Sequence, residues 1–480
     1  MNDRWRSRVQ GWFSPLVYLS GNWVSRLGVV LVTTAAFLLL HCLAMAVRGI
    51  EHPYFGIITF LLLPTCFFLG LLLIVLGIFR RWRQERRRGT YPAEFPPLDF
   101  KSVELRRLLT FIGFISLVNL LIGAQLVYSS VNYMDSVTFC GQNCHKVMTP
   151  EYTAYQNSPH SRVECVKCHI GPGASWFVRS KFSGSYQVIA VIFNLYPRPI
   201  PAPIHNLRPA RETCEQCHWP ERFSGDQLIE KTKFGDDEKN SRTRTVLLMH
   251  IGGRDPDQKL VGIHGRHLGL VTYIATDAKR QVIPWVSHRD ADGSVSEYIS
   301  TDAPPKPELL ARGERRVMDC IDCHNRPTHR FDLPENAVNR AMTAGRIRPA
   351  LPFAHKVSIE LLKKNYSSRL AAQTDMPEAF RQYYRKNYFA TYNTQRAQVE
   401  QAAATLLEIY SDNVFPSMDI AWGTYPNNIG HNDSPGCFRC HDGNHQTKGG
   451  QTISQDCNTC HSLLAMDEEN PKILQELYSQ

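Results

Sequence analysis

Three apolar stretches dominate the first 131 residues, and each is long enough to cross a membrane. They are Leu27–Val47, Tyr54–Phe79 and Leu108–Val131, and a helix of about 20 apolar residues spans a hydrocarbon core of about 30 Å. No small-residue cleavage site follows the first stretch, so we do not expect it to be removed as a signal peptide. The pattern predicts a three-helix transmembrane anchor over 1–131.

Basic residues around these stretches predict their orientation. Four arginines precede the first stretch and nine Lys and Arg lie in the 80–107 loop, whereas the 48–53 link has one arginine. Cytoplasmic loops are enriched in Lys and Arg. We therefore expect the amino terminus and the 80–107 loop in the bacterial cytoplasm, and the chain after the third stretch on the periplasmic side of the inner membrane.

The net charge of +10 has the same topological origin. Residues 1–107 contain 14 Lys and Arg against 6 Asp and Glu, which leaves 40 against 38 for the rest of the chain. The excess is +8 in the first part and +2 in the second. Because the basic residues flank membrane segments, the charge predicts a lipid membrane as partner and no nucleic acid.

Beyond residue 131 the apolar runs become short. Alternating runs at 245–249, 270–274 and 282–286 predict strands, whereas 334–412 has the periodicity of helices. The predicted domains are 1–131, the anchor; 132–218; 219–312, a small β-rich insertion; and 313–480, which is helical. The predicted fold is three transmembrane helices followed by a mainly α and irregular part with a small β insertion.

Haem attachment is predicted because twelve of the 14 cysteines stand in six motifs in which a histidine directly follows the second cysteine. Five motifs have two residues between the cysteines and the first has three; we number the sites 1 to 6 in chain order. The residues are Cys140, Cys144, His145 (site 1); Cys165, Cys168, His169 (site 2); Cys214, Cys217, His218 (site 3); Cys320, Cys323, His324 (site 4); Cys437, Cys440, His441 (site 5); and Cys457, Cys460, His461 (site 6). Two thiols can bond the vinyl groups of one haem while the histidine binds its iron, and this is not a zinc spacing. The pattern predicts a multihaem cytochrome with six covalently bound haems c, three in a module over 132–218 and three in a helical module over 313–480. We expect the part beyond the membrane segments to be packed around these haems, with little conventional core.

Each iron also needs a second axial ligand, and ten further histidines lie beyond the apolar stretches. The best candidates lie beside a haem motif or in the Gly262–Gly269 loop. They are His160, His205, His264, His267, His329, His431 and His445. Two histidine ligands lower a haem potential relative to Met ligation. Which histidine serves which iron stays open in the sequence.

Met148 is a different kind of candidate. It lies three residues beyond His145 at the irregular first site, where its thioether could compete with or replace a histidine ligand. An ordinary packing role is equally compatible with its position.

The stretch from Phe139 to His218 resembles the NapC/NirT family of membrane-anchored quinol-dehydrogenase cytochromes. The resemblance rests on an ordered set of residues that follows directly on the third apolar stretch. The set is Phe139-Cys140, Cys144-His145, Met148, Ser158-Pro159-His160, Cys165 to His169, and Trp176 to Lys181. The whole layout is similar to the larger inner-membrane cytochromes of metal-respiring bacteria within that family. This chain departs from the short members in its extra spans, its haem number and its longer first motif.

The resemblance implies menaquinol as the substrate and Lys181 as a quinol-site residue. A cation there can hydrogen-bond a quinol oxygen and stabilise its negative charge as the proton leaves. Segment 176–196 itself mixes apolar residues with Arg179 and Lys181, which is typical of a helix in the membrane interface; a helix packed on the haems is the alternative. Val188 stands seven residues after Lys181, so the proton acceptor is left open.

The leading hypothesis is a quinol dehydrogenase that passes electrons from menaquinol to periplasmic c-type cytochromes in anaerobic or metal respiration. One alternative is a multihaem terminal reductase of nitrogen or sulfur oxyanions. Another is a non-catalytic electron-transfer subunit of a larger respiratory complex. A homo-oligomer is also compatible with this sequence.

Overall fold

The computed structural model divides the chain into two units, described separately below. The membrane unit is Met1–Phe139 with Pro172–Leu195, and the motif unit is Cys140–Gly171 with Tyr196–Gln480. The described residues are 13–47, 62–95, 103–143, 145–204, 208–219, 225–254, 260–290 and 292–479. Cys144, His52 and His205 lie outside them, as do the side chains of His41, His145 and Lys181.

Three long helices of the membrane unit confirm the predicted number of membrane segments. They are α1 (Trp23–Val47), α2 (Leu63–Arg88) and α3 (Val103–Asp135), and each contains a stretch apolar enough to cross a membrane. The second helix continues nine residues past the predicted end at Phe79. The beginning of the predicted second stretch, residues 54–61, lies outside the described residues.

Small residues allow α1 and α2 to pack closely. A Cβ on Gly28 would lie 2.5 Å from the carbonyl oxygen of Gly70, and one on Gly77 would collide with the Ser25 hydroxyl. The Ser25 hydroxyl donates to the Ile74 carbonyl across the same contact at 3.1 Å. Backbone approach through small residues is a common way for membrane helices to associate without a hydrophobic driving force.

Segment 176–196 is largely one helix, α6 (Ala174–Ile192), and it belongs to the membrane unit. The helices α4 (His145–Gln156) and α5 (Cys165–His169), which lie between α3 and α6 in the chain, belong to the motif unit. Large apolar side chains of α6, including Tyr186 and Ile192, are exposed. Exposed apolar residues are what a helix at a membrane interface requires. The residues of the predicted 132–218 module are thus divided between the two units.

The described part of the motif unit contains three antiparallel sheets. Their strands are β1 (Gln227–Phe234), β2 (Arg242–Met249), β3 (Gly253–Arg254), β4 (Leu260–Val261), β5 (Val271–Ile274), β6 (Trp285–Arg289), β7 (Val295–Ser300), β8 (Arg316–Val317), β9 (His445–Gln446) and β10 (His461–Glu468). The strand orders are β1-β2-β10, β3-β4 and β8-β5-β6-β7-β9. The predicted strands at 245–249, 270–274 and 282–286 overlap with β2, β5 and β6. The strands β8, β9 and β10, however, come from beyond residue 312, where the predicted β-rich insertion ends. The β region is thus completed by the carboxy-terminal part and does not form a separate insertion.

The remaining helices of the motif unit fall into two groups. Short ones accompany the haem motifs and the sheets: α7 (Ala210–Cys214), α8 (Gly262–His267), α9 (Pro307–Arg312), α10 (Cys320–Cys323) and α16 (Lys472–Tyr478). The others form a continuous helical region: α11 (Pro334–Thr343), α12 (Ala354–Lys363), α13 (Arg369–Asn387), α14 (Phe389–Thr394) and α15 (Arg396–Asn413).

This helical region has the largest hydrophobic core of the described residues. Phe380, Tyr384 and Leu406 are among its fully buried side chains, and no haem motif falls within 334–413. The expectation that haems would replace a conventional core is therefore wrong for this region. Its helices hold together by ordinary apolar packing.

Leu406→Ala should lower the free energy of local unfolding of this region by about 3 kcal/mol, because it leaves a cavity in a fully packed core. Hydrogen–deuterium exchange of the α15 amides in the full-length protein measures the change. Leu370→Ala is the matched control, because Leu370 is 72% exposed and Leu406 is fully buried. Equal exchange in the two variants would contradict the assignment of the core.

Candidate functional site

The motifs begin in different kinds of helical turn. Site 1 begins in a π-helical turn, Phe139–Asn143, whereas site 2 is the α-helical turn α5 and site 6 begins in a 3₁₀ turn, Cys457–Thr459. A π turn accommodates an additional residue within a helix. The π turn therefore accounts for the longer spacing of site 1. Gly141 in this turn is needed, because a Cβ there would collide with the Tyr152 ring.

Among the described residues, five motif histidines lie close to five histidines from elsewhere in the chain. In each pair the ring centres are 5.8 to 6.3 Å apart. The pairs are His169 with His329 (site 2), His218 with His160 (site 3), His324 with His264 (site 4), His441 with His267 (site 5) and His461 with His431 (site 6). Two imidazoles on opposite faces of one iron have ring centres roughly 6 Å apart, since each metal–nitrogen bond is about 2 Å and each ring adds about 1 Å. The spacing fits one iron in each pair.

Hydrogen bonds also set the tautomers of several of these rings. Nδ1 of His329 donates to the Glu151 carbonyl (2.9 Å), Nδ1 of His267 to the Ile263 carbonyl (2.7 Å) and Nδ1 of His441 to the Ser454 carbonyl (2.7 Å). A carbonyl can only accept, so Nδ1 has the proton and Nε2 has the lone pair. Such a bond fixes ring orientation and increases ligand basicity at metal sites.

Burial keeps other rings of these pairs neutral. It lowers the pKa of His169 to about 4, with His329 as the second cause. Burial likewise lowers the pKa of His324, followed by the effect of His264, and burial lowers the pKa of His461. Neutral imidazole is the form that binds a metal ion, so these rings are in the required state at neutral pH.

His445 is placed differently from the other predicted distal ligands. Its ring is 1% exposed, Nδ1 faces Asp442 Oδ1 at 2.8 Å and Nε2 faces the Ile283 carbonyl at 2.7 Å. Both nitrogens therefore face acceptors and neither is available to iron. The expectation that His445 is a distal ligand does not agree with this geometry; its role is to tie the site 5 loop to the sheet.

Other predicted site residues are not brought into a pair among the described residues. Met148 is half-buried on α4, and Lys181 lies on α6. His205 lies outside the described residues. The histidines that were not preferred as ligands face carboxylates: His250 faces Asp226, His288 faces Asp290 and His355 faces Asp236.

Cysteines of successive motifs are close enough to influence one another's ionisation. The neighbouring pairs are Cys140 with Cys165, Cys168 with Cys214, Cys214 with Cys320, Cys323 with Cys437, and Cys437 with Cys460. Each pair links one motif to the next motif in the sequence. The six attachment sites thus form a continuous series in chain order.

A buried polar network links sites 4 and 5. Asp322, between the two cysteines of site 4, has a side chain that is 1% exposed and accepts from the Tyr273 hydroxyl (2.8 Å) and Arg316 Nε (2.7 Å). Its carbonyl accepts from Nη2 of Arg439, which lies between the cysteines of site 5, at 2.8 Å. Because buried charges require such partners, the network fixes the two motifs relative to each other.

A second network surrounds His329 of site 2. The Glu151 carboxylate lies 3.4 Å from His329 Nδ1 and 3.1 Å from Arg326 Nη2. Arg326 Nε donates to the His329 carbonyl at 2.6 Å, and its guanidinium lies over the Tyr425 ring at 4.1 Å. The opposite charges of Glu151 and Arg326 thus both lie close to this histidine. Sequence reasoning missed both residues, because α4 and the loop after site 4 are distant in the chain.

Comparison with known proteins places this chain in a family. The NapC/NirT cytochrome c family, N-terminal region, matches residues 103–199. The cytochrome c-type protein ImcH of Geobacter sulfurreducens is 43% identical over 455 residues, which cover 94% of this chain and 89% of that protein. The chain belongs to the NapC/NirT cytochrome c family. No solved structure matches it.

Membership in the NapC/NirT family establishes the general chemistry. The chain is a membrane-anchored multihaem c-type cytochrome, a redox protein with covalently bound haem c that transfers electrons. The predicted family and the three-helix fold class are confirmed. The histidine pairs and neutral rings of the motif unit are suited to hold such haems.

His431→Ala should convert one haem from low spin to high spin, because site 6 loses its second imidazole. His445→Asn, at a histidine of similar sequence context, should leave the low-spin set unchanged. Electron paramagnetic resonance of the oxidised protein distinguishes the two outcomes. An additional high-spin signal relative to the wild type in His445→Asn, with no additional signal in His431→Ala, would reverse the assignment.

Glu151→Gln should raise the reduction potential of site 2 and Arg326→Gln should lower it. Loss of a negative charge beside the ligand disfavours the ferric state, and loss of the positive charge favours it. Each shift should be about 60 mV, which corresponds to a tenfold change in a one-electron equilibrium. Potentiometric titration followed by electron paramagnetic resonance measures both.

The double variant should return close to the wild-type potential, because both charges are removed. Glu408→Gln is the control, since Glu408 forms a comparable 3.0 Å pair with Arg346 on the helical region and should shift no haem. Shifts of the same sign in the two single variants would show disruption of the fold and not a charge effect.

Proposed function

We propose that this chain oxidises menaquinol at the periplasmic side of the inner membrane and passes electrons through six haems to periplasmic c-type cytochromes. The observation that supports this most strongly is the series of six attachment sites in chain order, which starts five residues after the end of α3 at Asp135. A series that begins in the chain directly after a membrane helix suits a substrate dissolved in lipid.

The haems supply one-electron chemistry when bound. The chain supplies their spacing, their ligands and their surroundings. The paired histidines at sites 2 to 6 would hold the haem irons, and buried networks around Asp322 and Glu151 keep these residues in place. Rigid surroundings of this kind limit the reorganisation that accompanies a change of charge.

Site 1 is the proposed place of electron input, because it differs from the other five sites. His145 and Met148 are three residues apart on α4, and side chains at this spacing lie on the same helix face. They would therefore be alternatives for one ligand position of a haem at this site. We propose a weak or open ligand position at this site, which would admit a quinol.

The proposed quinol contact is Lys181. It lies on α6, which belongs to the membrane unit and has exposed apolar side chains at Phe182, Tyr186 and Ile189. These features support a helix within reach of lipid-dissolved molecules. A lysine in such a partly dry place can stabilise the oxygen of a quinol that is losing its proton.

The terminal-reductase alternative requires an open coordination position for its substrate. The histidine pairs leave none at sites 2 to 6, so such a function would be confined to site 1. Quinol oxidation by the purified chain would distinguish a quinol dehydrogenase from a non-catalytic electron-transfer subunit.

The proposal also includes a redox partner with basic surface residues and an orientation with the amino terminus in the cytoplasm.

Lys181→Ala should slow reduction of the haems by a menaquinol analogue roughly tenfold or more, because a charged donor to the quinol oxygen is lost. Reduction by dithionite and a haem content of six per chain should stay unchanged. Stopped-flow absorbance and pyridine haemochrome analysis measure these quantities.

Arg179→Gln is the matched control on the same helix. The Arg179 guanidinium already lies over the Trp176 ring at 5.1 Å, so its loss should leave quinol kinetics near the wild-type rate. Equal kinetics in Lys181→Ala and the wild type, with all haems present, would place the quinol site elsewhere.

A further inference from the structure

A groove of about 520 Å³ lies between the beginning of α1 and the end of α2. One part of its lining is apolar and the other is basic. The lining residues are Val24, Leu76, Phe79, Arg80, Arg83, Gln84 and Arg87. Neither haem chemistry nor quinol oxidation gives this groove a role.

Three arginines of the groove share one face of α2. Arg80, Arg83 and Arg87 follow at spacings of three and four, which place side chains side by side on a helix. Within the described part of the chain, no ion pair joins any of the three to a carboxylate. Arg81, on another face, is bound by Glu85 Oε1 at 2.8 Å and by the Tyr18 carbonyl at 2.6 Å. The groove therefore concentrates positive charge that an anion can neutralise.

The rest of the lining indicates what kind of anion fits. Leu76 and Phe79 end the apolar part of α2, and the arginines begin directly after them, so the groove lies where the hydrocarbon core meets the headgroups. Trp23 beside it is 66% exposed and stacks under Arg80, whose Cζ lies 5.8 Å from the ring centre. Exposed tryptophan is typical of this depth in a membrane. A ligand here needs an anionic head and apolar chains.

We propose that this groove binds one anionic phospholipid. Arg83 and Arg87 hold the phosphate through charge-assisted hydrogen bonds, and the acyl chains lie along Leu76 and Phe79. The proposal rests on the membrane anchoring of the chain and is independent of quinol oxidation.

The test uses the full-length, haem-loaded protein in a neutral detergent, with phosphatidylglycerol as the probe and native mass spectrometry as the readout. Wild-type protein should retain one phosphatidylglycerol in preference to phosphatidylcholine, and millimolar inorganic phosphate should not displace it. The R83Q/R87Q variant should bind the lipid about thirtyfold more weakly, and R87Q alone about fivefold.

R86Q/R88Q is the matched control, because it removes the same charge from the same turn outside the groove. Arg86 lies over the Trp82 ring at 4.7 Å and the Tyr91 ring at 5.5 Å. This control should bind phosphatidylglycerol within about twofold of the wild type, which is less than the loss of one contacting arginine. Equal weakening in both double variants would overturn the proposal in favour of general attraction to a basic loop. Displacement by inorganic phosphate would overturn it in favour of a phosphate site.

Discussion

The distance between paired imidazole rings is the constraint on which the motif unit depends. Two rings must stand about 6 Å apart to hold one iron, and each of the five observed pairs joins segments that are separate in sequence. The partner at site 2 comes from beyond site 4, and the partner at site 3 comes from before site 2. Each pair therefore acts as a cross-link between distant segments. Haem binding would therefore help to hold these distant segments together.

One short helix connects two of these histidine pairs. The helix α8 provides both His264 and His267, which pair with His324 of site 4 and His441 of site 5. At a spacing of three residues the two rings lie on the same face of one helical turn. One turn of helix thus contributes a histidine to each of two neighbouring sites, and the Asp322 network joins the same two motifs.

Local patterns in the sequence predicted the local features. The six motifs and the three membrane helices follow from spacing and hydropathy, which need no knowledge of tertiary contacts. The identity of each histidine partner could not be predicted, because an imidazole has no periodic signature and any of ten was eligible. His445 shows the limit: it lies as close to a motif as His431 does, but Asp442 and the Ile283 carbonyl engage both of its nitrogens. Likewise, the completion of the sheets by β8, β9 and β10 depends on contacts that no short window contains.

The helical region without haem motifs is connected to the haem sites through α4. Asn157, just beyond α4, donates to Asp412 of α15 at 2.9 Å, and Val147 of α4 packs with Phe415 and Tyr425 in a small apolar cluster. Tyr425 also lies beside Arg326, which pairs with Glu151 of α4. A conventionally packed core is stiff, because its side chains interdigitate at crystal-like density. It therefore supports the helix that begins with His145 of site 1 and, through Glu151, orients the distal ligand of site 2.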